Sequence, residues 1–108
     1  AQVTVVGIRV PGMEGRCGLA AVLPEDELDL EAFSAQAEEL PSYARPRFIR
    51  VLDAMDTTAT FKVQKSRLQK DGADPNGIDD ALFLLTPGGY QELTSERWSE
   101  VLSAELRL

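Results

Sequence analysis

Lys62, Lys65, Arg67 and Lys70 gather four cations into one short segment of an acidic chain, in which 11 Lys and Arg face 18 Asp and Glu and the formal charge is -7. Positive charge concentrated in a negative protein suits an anionic ligand. The first of the four follows Thr57-Thr58-Ala59-Thr60-Phe61, a stretch of mostly small and hydroxyl residues that reads as a flexible loop with Lys62 at its tip. A lysine in that place is a movable point charge on a long stem. A plainer reading fits the same residues: beyond Lys62 the segment Val63 to Lys70 tolerates a helix, and Lys62 and Lys65, three apart, would then share a solvated face with no ligand.

The remaining reactive side chains exclude more than they suggest. The chain has no histidine, so it supplies no Ser-His or Cys-His nucleophile, no histidine general base and no zinc site of the usual kind. Its one cysteine, Cys17, opens the apolar run Cys17-Gly18-Leu19-Ala20-Ala21-Val22-Leu23 and reads as a buried structural thiol, compatible with a reducing compartment. The negative charge argues against nucleic acid or an anionic membrane as the main partner, because both require a positive field. No apolar segment approaches the roughly 20 residues of a membrane span. A start at Ala1 and the lack of a phosphate-cradling glycine-rich loop suggest a piece of something larger.

The elements that must position the cations follow from periodicity. Val3 to Val10 is β-branched and apolar, a strand closed by Pro11-Gly12, and Pro11 to Arg16 is a connecting loop. Cys17 to Leu23 is apolar on both faces, which fits a central strand covered by helices. Asp29 caps a helix in which Leu30, Phe33, Ala37 and Leu40 recur at helical spacing, with Glu31, Glu38 and Glu39 as a solubilising outer face. Pro41 to Pro46 is irregular, and Phe48 to Leu52 is a third strand whose Arg47 and Arg50 point to solvent or to a neighbour. Asp71 to Gly77 is a run of turn residues. Beyond it, Leu82-Phe83-Leu84-Leu85 and Tyr90-Gln91-Glu92-Leu93 flank Thr86-Pro87-Gly88-Gly89 as a hairpin, and Ser95 caps a last helix with Trp98, Val101, Leu102 and Leu106 on one face.

These elements predict a single α+β domain over residues 1–108: a small mixed sheet flanked by helices, with a core over 1–72 and a C-terminal hairpin and helix extension over 73–108. A free-standing, non-catalytic acidic interaction module would satisfy that description.

Thr58-Ala59-Thr60-Phe61-Lys62 nevertheless resembles the last core motif of the adenylate-forming enzymes, a group that includes acyl-CoA synthetases, luciferase and peptide-synthetase adenylation domains. Thr58, Lys62 and Lys65 match the motif, whereas Asp56 stands at its proline and Phe61 at its glycine. Both departures resemble the fatty acid transport protein and very-long-chain acyl-CoA synthetase branch. Val10 to Gly18, Leu40 to Arg50 and Tyr90 to Leu108 are similar to that branch as well, so the likeness spans nearly the whole chain.

The resemblance implies the mobile C-terminal lobe of a cytoplasmic long- or very-long-chain fatty acid–CoA ligase (AMP-forming), inactive alone and membrane-associated, if at all, through parts outside this chain. Its partners would be its own large N-terminal domain and the substrates fatty acid, ATP and CoA, with Mg2+ bound mainly through that domain and no metal site here. Lys62 would enter for adenylation, bridging the substrate carboxylate and the adenylate, and withdraw when the lobe rotates for attack by CoA. Lys65 would sit near phosphate groups in one of these states, a surface role being the alternative. Gly15 and Arg16 lie on a loop matching one that meets the large lobe, and are carried as cofactor-side interface candidates.

Overall fold

A computed structural model describes residues 2–11, 15–24, 27–41, 44–54 and 60–103. The Thr57-Thr58-Ala59 approach, Gly12, Asp56 and Leu106, all named above, lie outside the described residues. The element order is β1 (Gln2–Ile8), β2 (Cys17–Leu23), α1 (Leu30–Glu38), β3 (Phe48–Val51), α2 (Phe61–Asp71), β4 (Ala81–Thr86), β5 (Gly89–Glu92) and α3 (Ser95–Leu102).

The five strands form one mixed sheet in the order β1-β2-β3-β4-β5, parallel between β2 and β3 and antiparallel elsewhere. The expected α+β class is therefore the observed one. Register decides what each face carries, since side chains alternate along a strand and directly paired residues share a face. Leu19 lies between Val6 and Phe48, and its neighbour Ala20 between Val5 and Ile49. Leu19, Ala20 and Ala21 are completely buried, as expected for a strand covered on both sides.

On one face, Val6, Ile8, Leu19, Phe48 and Leu84 pack with Leu68 of α2 and with Trp98 and Val101 of α3. On the other, Ala20, Ile49 and Tyr90 pack with Ala37 and Phe33 of α1. Each face holds an edge-to-face aromatic pair joining sheet to helix: Phe48–Trp98 at 6.3 Å and Phe33–Tyr90 at 5.5 Å between ring centroids.

Several local expectations shift. Asp29 does cap α1, accepting from the Ala32 N–H at 3.0 Å. The last helix is capped by Thr94 rather than Ser95; the Thr94 hydroxyl accepts from the Arg97 N–H at 3.1 Å and Ser95 is the first helical residue. Of that helix's apolar face, Trp98 and Val101 are buried while Leu102 is 42% exposed. The hairpin forms with Pro87-Gly88 as its two-residue turn.

Arg45 and Pro46, just before β3, are pinned from two sides. The Arg45 guanidinium donates to the carbonyls of Ala37, Glu38 and Leu40, each at 3.0 Å, satisfying the C-terminal end of α1. The Tyr90 hydroxyl donates to the buried Pro46 carbonyl at 2.6 Å. Burial raises the Tyr90 phenol above its ordinary value, opposed by Arg47 and Arg45. Replacing Tyr90 with Phe leaves that carbonyl unpaired and is expected to cost about 1–2 kcal/mol in urea unfolding. Because the folded-state value is the raised one, Tyr90's contribution is complete below the unfolded value of about pH 10 and declines above it. The gap between wild type and Tyr90→Phe should therefore narrow as the pH rises above 10.

Candidate functional site

The position of Lys62 follows from the start of α2. Thr60 is extended and its hydroxyl accepts from the Val63 N–H at 3.3 Å, which begins the helix at Phe61. Lys62 is thus an exposed residue of the first helical turn, not the tip of a loop. The cap explains the difference: a threonine three residues before Val63 converts what reads as a flexible approach into a helix start.

The charge pattern of α2 is unusual at that end. Helix N-termini carry a partial positive charge, so acidic side chains are favoured in the first turn and basic ones in the last. The first turn of α2 has no acidic residue and carries Lys62, whereas Lys70 occupies the last turn. The lysine therefore adds to the positive end of the helix instead of neutralising it. That end suits an anion better than it suits helix stability.

The four sequence-predicted site residues do not converge. Lys65 lies one turn beyond Lys62 on α2, is half-buried and takes part in an interaction of its own. Gly15 and Arg16 are exposed and precede β2. Arg16 lines a groove of about 590 Å³ together with Arg9, Gln69, Lys70, Asp74 and Trp98. Arg16 therefore shares a groove with the C-terminal half of α2, while Lys62 is at the other end. Gly7 makes room for it: a Cβ at that position would stand 3.3 Å from the Arg16 Cδ. Among the described residues no group of three or more His, Cys, Asp or Glu could hold a metal, and no helix is long and apolar enough to cross a membrane. Cys17 is buried, and desolvation raises its thiol above the ordinary value against a smaller opposing effect of Arg47, as befits an inert structural residue.

Arg50 is the correction with the largest consequence. Expected to face solvent or a neighbour, its side chain is only 14% exposed. Its Nη1 donates to Asp71 Oδ2 and its Nε to Asp80 Oδ2, both at 2.8 Å. Burial opposes the guanidinium charge, but the two carboxylate hydrogen bonds outweigh it and raise the pKa overall. A signal was present in the sequence: alternation puts Arg50 on the face of Phe48, and an inward arginine requires a counter-ion.

Residues 1–62 match the model of the AMP-binding enzyme C-terminal domain. The chain belongs to that family. The match covers more than half of the chain and ends at Lys62. Over 99% of its length the chain is also similar to long-chain fatty acid transport proteins: 44% identical to protein 3 of Homo sapiens, 48% to protein 1 of Mus musculus and 35% to protein 2 of Rattus norvegicus. It is thus a C-terminal subdomain of the adenylate-forming type, in the fatty acid transport protein branch. The chain spans only 16 to 18% of the length of these relatives. No solved structure gives a significant match.

The Thr60 cap yields a direct expectation. Thr60→Ala should destabilise the chain by about 1 kcal/mol in urea unfolding, and Thr60→Ser should recover most of that loss.

Proposed function

We propose that this chain is the C-terminal lobe of an ATP-dependent fatty acyl-CoA synthetase and that Lys62 is its adenylation lysine. The observation that carries the reading is the placement of Lys62: exposed, in the first turn of α2, at a helix end already positive and without an acidic neighbour in that turn. Family membership and the similarity to long-chain fatty acid transport proteins support the choice of reaction.

Adenylation of a fatty acid joins a carboxylate to the α-phosphate of ATP, so two anions must approach and charge must be stabilised where they meet. A cation about 4 Å away is worth roughly 4 kcal/mol at an effective dielectric of 20, about a thousandfold in rate. Lysine suits the task better than arginine, because a point charge on a flexible stem can enter and leave without needing a fixed planar partner. The α2 N-terminus adds its own partial charge to the same anions. In the second half-reaction the lobe turns, Lys62 withdraws, and the CoA thiol attacks the acyl-adenylate, forming the thioester and releasing AMP.

Lys65, one turn on, is assigned to phosphate groups in one of the two states, and Gly15 and Arg16 to the contact with the large lobe. The magnesium ion that accompanies the nucleotide is assigned to the rest of the longer protein, and no step of this lobe passes through it. Acyl pocket and ATP cradle are assigned there as well, and the 108-residue chain alone should form no acyl-CoA.

In the longer protein, Lys62→Ala should slow acyl-adenylate formation, followed as pyrophosphate release with a panel of acids, by about three orders of magnitude or more. Thiolysis of a supplied acyl-adenylate should remain largely intact. Adenylation at the wild-type rate in that variant, or acyl-CoA formation by the isolated chain, would contradict the reading.

A further inference from the structure

Among the described residues of α2, Leu68 is the only one that is buried. A largely polar helix buries little to fix its axis and relies on polar contacts as well, Gln64, Lys65 and Arg67 each having an interaction of its own. A further anchor is at the far end from Lys62. Asp71, the last residue of α2, accepts from Arg50 Nη1 at 2.8 Å, and Asp80, immediately before β4, accepts from Arg50 Nε at 2.8 Å. Arg50 itself stands in β3, paired with Ala21 and Leu82 in the middle of the sheet. One guanidinium thus ties the end of α2, and both ends of the turn that follows it, to the middle strand of the sheet. The Gly72 N–H, donating to the Leu68 carbonyl at 3.2 Å from a left-handed conformation of φ 66°, closes the helix at the same spot.

We propose that Arg50 is a positioning residue for the adenylation half-reaction: through Asp71 and Asp80 it fixes the axis of α2 and thereby the place of Lys62. This rests on the role given to Lys62 above. Lys62 stands six residues from Leu68, about 9 Å along the axis, so a tilt of about 6° about that buried contact moves it by about 1 Å. A misplacement of that size can cost about a hundredfold in rate. A planar fork bonded to two carboxylates resists such tilting better than a single lysine contact would.

The test uses the longer protein and measures the two half-reactions separately for Arg50→Gln, Arg50→Lys, Asp71→Asn and Lys62→Ala. Arg50→Gln should lower kcat for adenylation by about 10- to 100-fold while thiolysis of a supplied acyl-adenylate stays within about threefold. Arg50→Lys should recover part of the loss. Asp71→Asn, isosteric at a carboxylate that is 47% exposed, is the milder second variant against a folding defect in Arg50→Gln, and should show the same split with a smaller loss. Equal losses in both half-reactions for the Arg50 and Asp71 variants would mean a purely structural role and overturn the proposal. Full adenylation by these variants, with Lys62→Ala still defective, would overturn it while leaving Lys62's role standing. Full adenylation by Lys62→Ala would overturn the functional reading itself, and this inference with it.

Discussion

The architecture depends on the double burial of β2. Leu19, Ala20 and Ala21 are wholly excluded from solvent, and a strand apolar on both faces must be roofed twice. That demand places α1 on one side of the sheet and α2 with α3 on the other, and it places β1 and β3 at its flanks. Once α2 is committed to its face through Leu68, its two ends acquire fixed surroundings. The C-terminal end meets Arg50 in β3, and the N-terminal end projects Lys62.

That arrangement separates the cations that the sequence presents as one cluster. Lys70 sits in the last turn of α2, where the helix dipole favours it, and lines the same groove as Arg9 and Arg16. Lys65 and Arg67 have interactions of their own. Lys62 alone of the four occupies the first turn, where a positive charge opposes the dipole. A helix selected only for stability would carry Asp or Glu there, so the unfavourable placement is a reason to look for an anion outside the lobe. A site that works by electrostatics uses groups left uncompensated until the ligand arrives.

Much of the fold was legible from local pattern. Alternation and β-branching located the strands, the apolar run of β2 announced its central place, Asp29 marked the start of α1, and Pro87-Gly88 marked the hairpin. Three features were not. Thr60 stands among similar small residues, and nothing local distinguishes the one that caps a helix from those that lead to it. For Arg50, alternation gave its face but not its partners: Asp71 and Asp80 come from segments 21 and 30 residues away, and such pairing becomes visible only once β3 and β4 are known to be neighbours. Arg45 is the third: its three carbonyl acceptors at the end of α1 depend on the path of the intervening loop. The family motif drew attention to Lys62 without help from the fold, but only the fold revealed that it stands on a helix end.

The central claim is that Lys62 leaves solvent to meet an acyl-adenylate. Lysine footprinting of the longer protein tests it most directly: acetylation at Lys62 and Lys70 is compared by mass spectrometry with and without a non-hydrolysable acyl-adenylate analogue. Protection of Lys62 by the analogue, with Lys70 labelled as before, is the predicted result. Unchanged labelling of Lys62 at saturating analogue would contradict it.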